Sequence, residues 1–129
     1  MAGIPVTGVN ELVLEVLDLE RAVAFYEGVL GFPVYLRDES RAWLMAGTGT
    51  RIGLWTPQVG LADGRGGVHV HYALHIDDAD YDAAVARLRA HGCDVHEEDF
   101  DERGRAAYVT DPDGNVVELW TRDVSRELQ

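Results

Sequence analysis

Lysine does not occur anywhere in the sequence, and cysteine occurs once, at Cys93. A single thiol excludes an intrachain disulfide and fits a reducing compartment, so a cytoplasmic location is expected. Long apolar runs are missing as well. None approaches the ~20 residues of a membrane span, and the N-terminus shows neither the basic nor the apolar region of a secretory leader. Positive charge is scarce: 11 basic residues face 23 acidic ones, for a net charge of −12. That balance repels nucleic acid and anionic lipid and leaves a small molecule as the expected partner. It suits a cationic ligand if the charge faces a cleft, and is otherwise solvated exterior. Cys93 follows a helix-stopping glycine and reads as a small packed residue rather than a nucleophile.

What the sequence does have is a repeat. Gly49-Thr-Arg-Ile-Gly-Leu-Trp-Thr56 is echoed by Gly114-Asn-Val-Val-Glu-Leu-Trp-Thr121, with Gly53 standing where Glu118 stands. Duplication is settled before any element is assigned, because it fixes the architecture. The 129 residues suffice for one domain with one core. The expected organisation is therefore a single domain over 1–129, with module one about 9–57, a linker over 58–67 and module two about 68–121.

Each module opens on an alternating strand. In Val9–Leu17, Leu12, Leu14 and Val16 share one face and Glu11, Val13 and Glu15 the other; in Val68–Asp77, His69, His71, Ala73 and His75 share one face. A helix follows each. Asp18 caps the first, whose Ala22, Phe25, Tyr26, Val29 and Leu30 recur at helical spacing up to Gly31; Asp78 or Asp80 caps the second, with Tyr81, Ala84, Val85 and Leu88 buried and Gly92 ending it. Three strands complete each module: Phe32–Arg37, Ala42–Ala46 and Arg51–Thr56 in the first, Asp94–Glu98, Arg105–Thr110 and Asn115–Thr121 in the second. The glycine-rich Pro57–Gly67 separates the two βαβββ units. Superposing the opening strands sets Glu11 against His71.

Glu11, His71 and Glu118 thus occupy strand faces turned away from helix-packing residues, with Glu15, His69 and His75 nearby. If those faces meet, one imidazole and two carboxylates converge, a donor set suited to one divalent ion such as Mn, Ni, Zn or Fe with positions left open. A histidine or glutamate on a strand is also ordinary solvated surface, and only the duplicated placement favours the ligand reading. Trp55 and Trp120, at matching places, line a pocket or cap the core; Trp43, Tyr35 and Tyr108 pose the same choice.

Three segments, Asp18–Phe32, His71 with Ile76-Asp77-Asp78, and Asp111–Glu118, together resemble the vicinal oxygen chelate superfamily. It contains glyoxalase I, bleomycin-resistance proteins, extradiol dioxygenases and fosfomycin-resistance enzymes. The resemblance implies an α+β glyoxalase-like fold, with two repeated βαβββ modules forming a curved eight-stranded cup around a metal, usually in a homodimer. It carries the ligand positions onto Glu11, Gly53, His71 and Glu118. Glu11 departs from the usual His or Gln, and Gly53 offers no side chain, which leaves a three-ligand pattern like that of the fosfomycin-resistance enzymes. Tyr72–Tyr81 and Thr121–Leu128 are similar to the same enzymes. Their phosphonate substrate is held by cations, whereas His96–Glu102 here has five carboxylates and no lysine, which disfavours an anion beside it.

The expected function is that of a small metalloprotein binding a substrate with adjacent oxygens, for isomerase, lyase-type or ring-opening chemistry. Glu15, Glu39, His69 and His75 are the candidate bases, and Trp43, Trp55, Tyr108 and Trp120 the candidate pocket. The alternative is a metal-free protein binding a cationic drug, of the bleomycin-resistance type.

Overall fold

The protein was analysed as a computed structural model, which describes residues 7–57 and 71–124. The chain divides into two compact units, residues 1–60 and 61–129. Each is a βαβββ module, so the expected α+β duplication is present.

In the first unit the strands are β1 (Glu11–Glu15), β2 (Val34–Arg37), β3 (Arg41–Ala46) and β4 (Thr50–Trp55), ordered β1-β4-β3-β2. β1 runs parallel to β4, and the others are antiparallel. Between β1 and β2 lies α1 (Leu19–Val23), which runs on as a π-helical segment, Ala24–Val29. Asp18 caps α1 as expected, accepting from the Arg21 N–H at 3.1 Å. The single helix anticipated up to Gly31 changes pitch halfway: Leu30 N–H bonds the Phe25 carbonyl five residues back at 3.0 Å. Ala22, Val23, Phe25 and Tyr26 are buried, as are Ile52 and Leu54 of β4 and Ala42 and Leu44 of β3.

The second unit repeats this plan with β5 (His71–His75), α2 (Asp78–Ala90), β6 (His96–Asp99), β7 (Arg105–Thr110) and β8 (Val116–Trp120), ordered β5-β8-β7-β6. The repeat extends to register. Val13 pairs with Gly53 and Ala73 with Glu118, while Trp43 pairs with Gly53 and Tyr108 with Glu118. Residues 58–70, which include the expected linker and the start of the fifth strand with His69, lie outside the described residues.

Two local expectations need adjustment. The cap of α2 is Asp77, in extended backbone and without a side-chain cap bond, whereas Asp78 and Asp80 sit in the first turn, where their carboxylates meet the positive end of the helix. The turn before β8 is organised by Asp111, only 4% exposed, whose Oδ1 accepts from the N–H groups of Asp113 and Asn115 at 2.9 and 2.8 Å. Gly114 then adopts φ 86°, a left-handed conformation that glycine tolerates without strain.

The core of this unit centres on Tyr81, Val85 and Ala107, with Val95 packed against them. The Tyr81 hydroxyl reaches Glu97 Oε1 at 2.9 Å and the Ala106 carbonyl at 3.1 Å, and Arg105 lies over its ring. Burial, then the hydrogen bond to Glu97, pushes this phenol from 10.0 up to about 12. The folded state therefore holds the proton more tightly than the unfolded chain. The associated stability is complete below pH 10 and is lost as pH rises to about 12. Urea unfolding at either end of that window is expected to show a loss of about 2–3 kcal/mol, absent in Tyr81→Phe.

Candidate metal centre

Parallel pairing of β5 with β8 puts His71, Ala73, Val116 and Glu118 on one face of the sheet, because paired residues point the same way. His71 Nε2 lies 3.1 Å from Glu118 Oε1. The two differ in exposure: the His71 side chain is 36% exposed and that of Glu118 6%. A carboxylate on a water-facing strand would remain solvated; this one is buried and must be satisfied by neighbours. Tyr108, paired with Glu118 across β7–β8, stands in hydrogen-bond reach of it and meets the His71 ring edge-on at 5.9 Å. Burial first, then the negative charge of Glu118, raises the Tyr108 phenol above its ordinary range.

These three residues open onto a cavity of about 450 Å³ whose wall is completed by Phe100, Arg103, Trp120 and Arg122. That size suits a small molecule. Trp120 is fixed in the wall by its indole N–H, which donates to the Arg103 carbonyl at 3.0 Å. Of the expected pocket residues, Tyr108 and Trp120 therefore line the His71–Glu118 cavity. Phe100, Arg103 and Arg122 escaped the sequence reading because they carry no periodicity: Arg103 sits in a 3-10 turn and Arg122 just past β8.

Within His96–Glu102, two carboxylates have partners of their own. Glu97 accepts from Tyr81 and from Arg89, at 2.9 and 3.1 Å, and Glu98 Oε1 lies 2.7 Å from His96 Nε2. The cavity wall itself contains two arginines and one carboxylate. Glu98 still bears on this wall, as one of the negative charges that raise the Tyr108 phenol.

Module one presents a different arrangement at the same repeat positions. Arg51, the partner of Glu11 in β1–β4, donates through Nε to Glu11 Oε1 at 2.8 Å and through a terminal nitrogen to the Tyr35 hydroxyl at 3.0 Å. Its guanidinium lies 3.9 Å from the centre of the Trp43 ring. Trp43 in turn covers Gly53, where an added Cβ would come within 2.3 Å of the indole. The bare glycine thus makes room for the ring. Trp55 packs edge-on against Trp43 at 5.8 Å and is itself partly exposed.

The candidate bases scatter. Glu15 ends β1, half-buried beside its partner Trp55. Glu39 is exposed between β2 and β3 and lines a depression with Asp18, Arg21 and Arg37. His75, exposed at the end of β5, lines a second depression with Asp77, Asp78 and Glu102, which shares Arg122 with the His71 cavity. His69 lies outside the described residues. Burial raises the Cys93 thiol, in keeping with a packing role.

An imidazole and a buried carboxylate, side by side at a cavity wall, fit a divalent cation by donor type. They supply two donors. Within the described residues of neither module do three His, Cys, Asp or Glu side chains form a metal-binding group on their own. Glu118→Gln, which removes the charge and keeps the volume, is expected to move the Tyr108 titration down toward the ordinary phenol range. Phenolate ultraviolet absorbance, with Tyr108→Phe as the assignment control, checks this; an unmoved titration would show that Glu118 does not act on Tyr108.

A family model described as Glyoxalase/Bleomycin resistance protein/Dioxygenase superfamily matches residues 8–119. The metallothiol transferase FosB of Shouchella clausii is 27% identical over 127 residues, 95% of this chain and 86% of that protein. The glutathione transferase FosA of Serratia marcescens is 28% identical over 125 residues, 92% of this chain and 84% of that protein. Among solved structures, lactoylglutathione lyase from Agrobacterium tumefaciens superposes with a TM-score of 0.75 at 26% identity, over 92% of this chain and 96% of that one.

Proposed function

The chain belongs to the Glyoxalase/Bleomycin resistance protein/Dioxygenase superfamily, and on that premise we propose that it is a metal-dependent enzyme acting on a small substrate with adjacent oxygens. The reaction is of ring-opening, lyase or isomerase type. The observation that carries the proposal is the buried Glu118 carboxylate beside His71 at a cavity wall. A binding groove without metal has no need to bury a carboxylate against an imidazole. The similarity to two transferases and a lyase supports the same reading, group transfer or lyase chemistry.

In this reading His71 and Glu118 hold the ion, and Glu11 is the third donor by its place in the repeat. When bound, a divalent ion supplies Lewis-acid polarisation of substrate oxygens. The chain's own groups do the rest. Tyr108, whose single O–H is in hydrogen-bond reach of Glu118, helps hold that carboxylate in place at the cavity wall. Phe100 and Trp120 wall the cavity against water, and Arg103 and Arg122 offset negative charge on the substrate. The proton acceptor is assigned to the set Glu15, Glu39, His69 and His75, to be separated by single substitutions to amide or Asn. The two modules are taken as one domain, in a cytoplasmic homodimer. A cationic drug in a metal-free groove fits less well, because two arginines line the cavity.

Protein purified without chelator, then stripped and titrated with Mn, Ni, Zn and Fe(II), tests the proposal. One ion per chain is expected, with affinity lost by at least a hundredfold in His71→Ala and in Glu118→Ala while circular dichroism stays unchanged. A folded wild-type chain that takes up none of the four metals would overturn it.

A further inference from the structure

Arg37, Arg41, Arg51, Arg89 and Arg105 each pair with a carboxylate. Arg103 differs. Among the described residues its guanidinium forms no such pair, and its central carbon lies instead 6.0 Å from the centre of the Phe100 ring, which lines the same cavity in the second unit. On a chain with a net charge of −12, a cation without a carboxylate at a cavity wall calls for a ligand. The loop that carries it is fixed. Phe100 N–H bonds the Gly104 carbonyl at 2.8 Å, Arg103 N–H the Phe100 carbonyl at 3.1 Å and Gly104 N–H the Asp101 carbonyl at 3.0 Å, around Asp101 held at φ 57°. The Trp120 indole anchors the Arg103 carbonyl from β8. The backbone under Arg103 is thus ordered before a ligand arrives, which lowers the entropy cost of binding.

Resting on the reading of this cavity as the substrate site, and not on the metal, we infer that Arg103 is a specificity-determining residue that selects a substrate carrying one carboxylate on an aromatic body. The planar guanidinium matches the two oxygens of a carboxylate as a bidentate fork. Phe100 and Trp120, in the same wall, offer ring surface to the body of such a molecule. The limit of one charge comes from the neighbours. Glu118 stands in the wall and Glu98 acts electrostatically on Tyr108, so a second negative charge on the ligand would meet carboxylates. Arg122 does not count in full against them, because it also lines the depression formed with Asp77, Asp78 and Glu102.

Calorimetry on the full chain in the presence of EDTA tests this, with phenylacetate, its uncharged isostere phenylacetamide and, at mildly alkaline pH, the doubly charged benzylphosphonate as probes. Phenylacetate is expected to bind more tightly than the amide by about tenfold or more, and more tightly than the phosphonate. Arg103→Gln should bring acid and amide to equal affinity with circular dichroism unchanged, a larger loss than in Arg122→Gln. Equal affinity for acid and amide in the wild type, a stronger hold on the phosphonate, or no binding of any probe would each overturn the inference. A preference that survives in folded Arg103→Gln, or falls further in Arg122→Gln, would overturn the assignment to Arg103. Metal titration is a separate readout. A chain that takes up no ion yet prefers phenylacetate through Arg103 supports this inference and overturns the metal centre, whereas one ion per chain without the preference does the reverse.

Discussion

Each module depends on one constraint: its first strand must pair in parallel with its last. A parallel pair cannot be joined by a tight turn, so the chain has to cross over through a helix and return through two further strands. The crossover covers one face of the sheet, and the ladder fixes which residues share the other. Because β5 and β8 pair with Ala73 beside Glu118, His71 and Glu118 fall on one face, two positions apart along the strand. A slip of one residue would turn Glu118 toward the helix side, where Val117 is fully buried, and break the pair. The site is thus a result of register before it is a result of side-chain chemistry.

Burying Glu118 carries a desolvation cost that has to be offset locally. His71 at 3.1 Å and the Tyr108 phenol supply the compensation inside the module. Charge is handled differently elsewhere on this acidic chain. Arg37 with Glu20, Arg41 with Asp38, Arg89 with Glu97, and Arg105 with Asp78 and Asp82 form ion pairs at accessible sites. Those contacts organise the surface and contribute little stability each. The buried carboxylate, by contrast, has no role in covering the sheet and stands at a cavity wall.

Much of this was legible in the sequence because it is written in periods. Alternation revealed the strands, Asp18 and Gly31 the bounds of the first helical stretch, and the Gly-x-x-x-x-Leu-Trp-Thr echo the duplication, down to the equivalence of Gly53 with Glu118. Properties that depend on contacts across the sheet were not legible. The π-helical turn at Ala24–Val29 has no local composition that distinguishes it from α-helix. The Arg51–Glu11 pair joins residues forty positions apart, and only the parallel register brings them together. The partners within the acidic run His96–Glu102 were hidden for the same reason: composition gives the charges and not the directions in which they point. Glu97, turned to Tyr81 and Arg89, illustrates the difference.

The indole over Gly53 sets the two copies apart. A carboxylate at each last strand would make the halves alike at this register position. Here the space that a side chain at position 53 would need is filled by Trp43, within 2.3 Å of where its Cβ would lie. A side chain at position 53 would require the Trp43 ring to move, and moving it uncovers Arg51. The difference between the two halves at this position is therefore held by packing as well as by the identity of the residue.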